Sequence, residues 1–223
     1  MTLPIRLPIT RFIAVLVLLL LSAMAAPAEA QTLIAKQESD GSVTRVWLDG
    51  DRARIQGSSD AYLLVDTGYE QIHAVFPDSG DVMDLTADLP RLPPDGVTEN
   101  THATSLEHLG RGPQIAGYPT QRYRLRGNDP DCGEVFLSRE ALERADAADY
   151  LRVMGRFHQR QRLASRRSDR DRGACEAALQ TAMDSYAENG LPLRVIDQAG
   201  NPRQEILFLQ RRVSVEPDFF SLP

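Results

Sequence analysis

The 223-residue sequence lacks the short motifs that usually accompany catalysis. It contains no Gly-x-Ser-x-Gly elbow and no Ser-x-x-Lys pair, which would mark a nucleophile, and no glycine-rich loop that would cradle a phosphate. We therefore expect no enzyme and no cofactor. An unrecognised hydrolase is kept as the least favoured alternative, because catalytic triads are assembled in space and not in sequence.

Metal-ligand spacing is also missing. The four histidines, His73, His102, His108 and His158, form no His-x-x-x-His pair and no cluster with cysteine. Scattered histidines without carboxylates at fixed offsets are not typical of a metal centre. The sequence predicts no metal site.

Lysine is nearly absent, and basic residues are not in excess. Lys36 is the only lysine, which we interpret as a compositional bias towards arginine, and the formal net charge is −6. A nucleic-acid-binding protein would normally show a basic balance or a basic groove. We therefore expect no nucleic-acid partner.

The first 30 residues have the organisation of a secretory signal peptide. Arg6 and Arg11 precede the apolar run 12–21, and small residues up to Ala30 follow it. This run is shorter than the roughly 20 residues that span a bilayer, which argues against an uncleaved anchor and a stable membrane span. With no cysteine at the cleavage site, a lipoprotein is not expected. The sequence predicts a periplasmic protein with one domain over residues 31–223.

Only two cysteines are present, Cys132 and Cys175. No Cys-x-x-Cys motif points to redox chemistry, and an even pair in an oxidising compartment most simply forms a disulfide. In the chain-entropy model this bond is worth about 4 kcal/mol. We expect it to attach the helical region to the sheet.

Runs with strand character surround one long helical segment. Six runs between residues 33 and 85 are separated by turn signals such as Asp40-Gly41, and three more lie between 101 and 125 after a proline-rich connector at 88–96. A further strand at 134–137 precedes the helices, and residues 193–196 and 205–215 predict a terminal hairpin. Phe219 and Phe220 are expected to dock on the domain.

Residues 138–189 predict a helical pair. Ser138 is a good N-cap, and an apolar stripe runs from Ala147 to His158. Ala141, Leu142 and Ala145 point to a different side, which implies either a bend near Asp146 or a first turn packed separately. A second stripe runs from Cys175 to Tyr186 and ends at Asn189-Gly190. Residues 160–173 lack a period and predict a turn or connection. The predicted fold is α+β and mostly β, a curved antiparallel half-barrel wrapped around this helical hairpin.

Three segments together resemble the LolA/LolB-like periplasmic lipoprotein carriers, and more closely their uncharacterised exported relatives. The segments are 46–55 (VWLDGDRARI), 115–124 (IAGYPTQRYR), and the ending with Gly190-Leu191-Pro192 and 215–219 (VEPDF). The resemblance implies a half-barrel with helices in its mouth and an apolar cavity for acyl chains. Two departures are a missing helix before the first strand and a long, arginine-rich helical hairpin.

The candidate ligand-binding residues are the apolar side chains expected between helices and sheet, which suit an adaptable pocket but equally a filled core. They are Leu151, Met154, Phe157, Leu179 and Met183. The candidate anion-binding residues are Arg160, Arg162, Arg166 and Arg167, for anionic lipid headgroups, lipopolysaccharide phosphates or an acidic partner, since guanidinium pairs bidentately with phosphate. A merely solvated helix face explains the same arginines.

Two functions remain open beside the hydrolase. The preferred one is a non-catalytic binding or carrier protein for a lipid or another apolar ligand. The alternative is a cell-envelope interaction module that binds a protein partner through the arginine-rich hairpin. An apolar cavity above roughly 300 Å³ would favour the first, and a tightly packed interior would favour the second.

Overall fold

The computed structural model describes residues 31–92, 104–127, 130–165 and 174–223. Within them, eleven strands form one antiparallel sheet. The strands are β1 (Thr32–Glu38), β2 (Val43–Asp49), β3 (Arg52–Gln56), β4 (Tyr62–Asp66), β5 (Gln71–Phe76), β6 (Asp81–Asp84), β7 (Thr104–Arg111), β8 (Gln121–Gly127), β9 (Asp131–Ser138), β10 (Leu191–Ile196) and β11 (Pro202–Arg211). The predicted signal peptide lies outside the described residues.

The sheet is open and curved, and its strand order is β6-β5-β4-β3-β2-β1-β11-β10-β9-β8-β7. Two sequential meanders, β1–β6 and β7–β9, thus form the two sides, and the terminal hairpin β10–β11 joins them at the centre. The predicted mostly-β architecture with a curved antiparallel sheet is confirmed. The predicted strand at residues 114–116 is reduced to a single bridge between Ile115 and Tyr118.

Tight turns with glycine at positive φ set the register of the first meander. Gly41 has φ 83° and Gly50 has φ 58°, conformations that cost a residue without a side chain nothing. Each lies between two strands that pair residue by residue, β1 with β2 and β2 with β3. The Asp-Gly signals therefore predicted these hairpins correctly.

Four helices occupy the described part of residues 138–189. They are α1 (Arg139–Ala145), α2 (Ala148–Ala164), α3 (Ala174–Thr181) and α4 (Met183–Asn189). Ser138 caps α1 as predicted, accepting a hydrogen bond from the Ala141 amide at 3.2 Å, and the predicted bend occurs at Asp146, whose φ is 53°.

Two helix boundaries differ from the predictions. Residues 160–164 belong to α2 and not to a connection, because polar residues continue a helix whose other face is already packed. The predicted second helix is divided at Ala182 into α3 and α4. Its apolar stripe continues across the division, since Ala178, Ala182 and Tyr186 are all buried.

The core lies between the helices and one face of the sheet. It combines side chains of both meanders with those of all four helices, among them Val65 and Ile72 from the first side, Leu125 and Val135 from the second, and Leu151 from α2. Helices α1 and α4 also lie against the terminal hairpin. Together these side chains form one continuous core.

The sheet separates at its centre. β11 pairs with β1 along residues 204–211, but it pairs with β10 only near its start, opposite Arg194 to Ile196. The first part of β10 and the rest of β11 are therefore not paired with each other. Helix α1 contacts both β10 and β11, and its Ala141, Leu142 and Ala145 are buried. This short helix therefore packs where the two strands diverge.

The C-terminal tail covers the opposite face of the first meander. The Phe219 ring lies 5.2 Å from that of Trp47 and 4.2 Å from the Arg54 guanidinium, which also stacks on Tyr62 at 3.5 Å. Phe220 is 9% exposed. The predicted docking of both phenylalanines is confirmed, and it explains why Leu64, on this face of β4, is buried.

The predicted disulfide is present. Cys132 on β9 and Cys175 on α3 are bonded, with their Cα atoms 5.0 Å apart. It attaches α3 covalently to the sheet at one end of the helical layer, where α3 already lies against β8 and β9.

Candidate functional site

The five predicted ligand-binding residues do not line one cavity. Leu151, Met154 and Phe157 are 4%, 7% and 6% exposed and belong to the packed core. None of them lines any of three clefts found among the described residues. Leu179 and Met183 are half-buried and face a surface groove instead.

This groove, called here the Met183 groove, has a volume of about 600 Å³. Its walls are α3 and α4 on one side and β10, β11 and the turn between them on the other. The apolar lining comes from Leu179, Met183, Tyr186, Pro192 and Val195. Its size falls within the range of small-molecule sites, roughly 300–1,000 Å³.

The rim of the Met183 groove is polar and largely paired within the chain. Arg203 of β11 forms an ion pair with Glu176 of α3 at 2.9 Å, across the groove. Asp197 accepts hydrogen bonds from the amides of Ala199 and Asn201, and these bonds hold the pKa of its carboxyl below the ordinary value. The groove thus combines an apolar floor with a rim whose charges are satisfied.

Tyr186 is the exception. It is 3% exposed, and its hydroxyl oxygen has no hydrogen-bond partner within the described ranges. Burial raises the pKa of this phenol, so it stays a neutral donor and acceptor. An unsatisfied buried hydroxyl costs about 1–3 kcal/mol. A polar group of a ligand, or a water molecule, would remove that cost.

A second groove, called here the Arg156 groove, has a volume of about 790 Å³ and lies on the other side of α4. Arginines supply much of its lining: Arg91, Arg152, Arg156 and Arg160. Glu70, Asp184 and Glu188 supply negative charge, and Tyr69 stands at the edge with 79% of its surface exposed. This groove differs from the Met183 groove in its arginines, since four line it and one, Arg203, lines the Met183 groove.

The predicted anion-binding arginines only partly meet in the Arg156 groove. Arg160 lines it, but its guanidinium donates to the main-chain carbonyls of Thr86 at 2.9 Å, Leu89 at 3.0 Å and Pro90 at 3.0 Å. It therefore holds the segment after β6 against α2. Arg162 is half-buried on α2, whereas Arg166 and Arg167 lie outside the described residues.

Helix α4 separates the two grooves and packs tightly on α2. A side chain at Gly155 of α2 would meet the Asp184 carboxylate at 2.6 Å and its amide nitrogen at 3.2 Å. Asp184 accepts a hydrogen bond from Gln159 at 2.6 Å. Burial raises the pKa of the Asp184 carboxyl, while that hydrogen bond and Arg156 act in the opposite direction.

The histidines lie apart from one another, with His102 outside the described residues. His73 on β5 pairs with Asp84 on β6, His108 on β7 contacts Gln121 at 3.0 Å, and His158 lies on α2. Burial lowers the pKa of His158. Among the described residues, no three side chains of metal-ligating type converge.

Sequence reasoning missed most of both grooves. Tyr186 was visible only as a member of an apolar stripe, and Arg152 and Arg156 only as part of a charge run. Tyr69 and Arg91 come from connections 79 and 57 residues before the start of α2 (148 − 69 and 148 − 91), and no local pattern associates them with that helix. Only the folded sheet brings these segments together.

No model of a known protein family matches this chain, and no curated protein matches it. Similar solved structures include that of MucB, with a TM-score of 0.39 and 11% identity, and the Pseudomonas aeruginosa MucA/MucB complex, with 0.34 and 12%. The alignments cover 86% of this chain but only 56% and 54% of those chains. This chain thus spans just over half their length, and similarity at this level carries no conclusion about function.

Among the described residues, no helix is both long enough and apolar enough to cross a lipid bilayer.

Proposed function

We propose that this chain is a non-catalytic periplasmic binding protein, distantly LolA-like, that holds a lipid or another apolar ligand in the Met183 groove. The location is supported by the signal-peptide pattern of residues 1–30 and by the disulfide between Cys132 and Cys175, a bond typical of oxidising compartments. The non-catalytic assignment is supported by the lack of nucleophile and phosphate-loop motifs in the sequence.

The unpartnered Tyr186 hydroxyl is the observation that carries this proposal. Tyr186 lines the Met183 groove together with Leu179 and Met183, two of the residues predicted to contact a ligand, and its hydroxyl oxygen is itself buried from solvent. An apolar floor with one unsatisfied polar group suits a ligand that is mostly apolar and carries a hydroxyl, carbonyl or ester oxygen. The ligand would thus be amphipathic, with its polar group directed to α4.

We do not propose ligand contacts for the core residues Leu151, Met154 and Phe157, which instead support the helices that form the groove. They are packed beneath the helices, and a ligand would reach them only by displacing core side chains. We therefore assign the ligand contacts to Leu179, Met183 and Tyr186. A carrier with a deep internal cavity is not required.

Native mass spectrometry of protein purified from its own compartment tests the proposal. We expect a co-purified lipid-like mass that Met183→Gln reduces about tenfold, because burying a methionine side chain contributes at least about 1.4 kcal/mol. Met83→Gln, on the exposed strand β6, is the matched control and should leave occupancy unchanged.

Tyr186→Phe adds a second readout. If the hydroxyl binds the ligand, occupancy falls while the folded protein is as stable as before or more stable, since an unsatisfied buried group has been removed. Absence of any bound mass, together with no uptake of a fluorescent fatty acid, would contradict the proposal. Equal losses in Met183→Gln and Met83→Gln would do the same.

A further inference from the structure

The Arg156 groove has a composition that the apolar ligand of the Met183 groove does not use. We propose that it is a docking site for an acidic segment of a partner protein, one that presents several aspartate or glutamate side chains. This site is separate from the Met183 groove, so either assignment can fail without the other.

The arginines are spaced to meet a series of carboxylates. Arg152 and Arg156 lie four residues apart on α2, which places them on one face about one helical turn apart. Arg160, one turn further on, is held by the three carbonyls after β6. Arg91 enters the same groove from the segment after β6. Guanidinium groups bind carboxylates bidentately, so such a row matches an acidic chain laid along α2.

Part of this positive charge is available to a ligand. Arg91 is exposed and has no ion-pair or hydrogen-bond partner within the described part of the chain. Arg152 pairs only with Asp149, three residues earlier on the same helix, and both side chains are substantially exposed. Exposed pairs of this kind contribute little and exchange readily for a better partner.

The groove already holds one carboxylate of the chain itself. Glu70, in the turn between β4 and β5, forms an ion pair with Arg156, although the two are 86 residues apart. Glu70 reaches this position with a backbone φ of 53°, which is uncommon for a residue other than glycine. A strained turn that directs an acid onto Arg156 shows the chemistry that the groove accepts, and an incoming carboxylate would replace it.

The walls are positioned before any partner arrives. The three carbonyl contacts of Arg160 fix the segment that carries Arg91, and the Gln159–Asp184 hydrogen bond fixes the floor. At the rim, Tyr69 is 79% exposed. Tyrosine and arginine are the side chains most enriched at the energetic centres of protein interfaces.

A protein segment fits this groove better than an anionic membrane surface does. The groove is concave and contains Glu70, Asp184 and Glu188 between its arginines. A flat bilayer surface does not follow a concave groove, so its headgroups would not reach the arginines inside it. A narrow chain with spaced carboxylates can alternate with the groove's own acids.

Fluorescence anisotropy with a labelled hexaglutamate peptide at low ionic strength tests the proposal, using the full chain after signal-peptide removal. We expect saturable, salt-sensitive binding that the double variant Arg91→Ala, Arg156→Ala weakens by at least about tenfold. Arg45→Ala, an exposed arginine on β2, is the matched control and should bind as the unaltered chain does.

Glu70→Gln provides a gain that misfolding cannot imitate. Removing the internal competitor should tighten hexaglutamate binding about two- to fivefold, the factor that corresponds to one exposed ion pair. Loss of binding in Arg45→Ala equal to that in the double variant would overturn the site, and so would unchanged or weaker binding in Glu70→Gln.

The same experiment also compares the hexaglutamate peptide with other classes of ligand. Binding to phosphatidylglycerol vesicles without binding to the peptide would overturn the proposal in favour of a membrane surface. Full displacement of the peptide by pyrophosphate at equal concentration would overturn it in favour of a small-anion site. Displacement only by other acidic peptides, with hexalysine inactive, is the supporting result.

Discussion

The Met183 groove and the Arg156 groove lie on opposite sides of α4, and neighbouring residues of that one helix line different sites. Met183 and Tyr186 contribute to the first groove, whereas Asp184 and Glu188 contribute to the second. The first leaves a buried tyrosine hydroxyl without a partner among the described residues, while the second contains four arginines and satisfies much of their charge internally. A short helix can thus separate two binding surfaces of different chemistry.

The grooves also differ in what holds their outer walls. The Met183 groove depends on α3, which the Cys132–Cys175 bond attaches to β9. The Arg156 groove depends on Arg160 and the three carbonyls that it binds after β6. One wall is covalent and the other is made of hydrogen bonds, so different perturbations should affect them.

The largest expected effect is the loss of the disulfide. Replacing both cysteines by serine should lower the free energy of unfolding by about 4 kcal/mol, because the unfolded chain regains the freedom of a 43-residue separation. Chemical denaturation measures this. Fatty-acid uptake by the Met183 groove should fall, since α3 loses its attachment, while hexaglutamate binding persists under conditions where the protein remains folded. Equal losses at both grooves would contradict the separation described above.

A smaller effect, on both grooves together, is expected from Gly155→Ala. The added methyl group would meet Asp184 and push α2 and α4 apart, which should cost about 1–3 kcal/mol. Gly57→Ala is the matched control, because nothing lies within 4 Å of the position of its added Cβ and its backbone is not in the left-handed region. Thermal unfolding measures the Tm of both variants. Equal Tm values would show that α2 and α4 have room for a methyl group at Gly155, which would contradict the tight packing.

The smallest expected effect concerns Asp184 and depends on pH. A carboxyl whose pKa is raised by folding favours the folded state below its unfolded value, near 3.8, and this contribution is lost as pH rises through the folded pKa. Asp184→Asn should therefore raise the Tm by about 1–2 °C at pH 7, and the difference should vanish below about pH 4.

The same variant distinguishes the grooves. It removes one negative charge from the Arg156 groove and should strengthen hexaglutamate binding slightly, with fatty-acid uptake unchanged. Asp149→Asn, an exposed acid at the start of α2, is the control and should produce no rise in Tm. A lower Tm for Asp184→Asn at pH 7 would contradict the raised pKa.

Elements with strong local signals were predictable. Alternating strands between Asp-Gly turns, the Ser138 cap and the bend at Asp146 are each specified by residues within a few positions of one another. The cysteine pairing was predictable for a different reason, because a chain with two cysteines can form only one intramolecular disulfide. These predictions are confirmed.

The candidate site was less predictable, because helical spacing identifies a buried face without saying what covers it. Leu151 and Met183 belong to similar apolar stripes, yet the first is in the packed core and the second lines a groove. Likewise, Arg156 and Arg160 lie one turn apart on α2, but Arg160 binds carbonyls after β6 and Arg156 binds Glu70. The partner, and not the residue type, decides the role.

The sequence by itself determined the strands, their turns, the helical segment and the sulfur bridge, since these follow from periodicity, backbone preference and composition over short distances. The tertiary structure alone decided which apolar residues are filled core and which line a groove, and which arginines are free to bind. Those outcomes depend on contacts between segments far apart in the chain, such as Arg156 with Glu70, which is 86 residues away, and no local pattern encodes them.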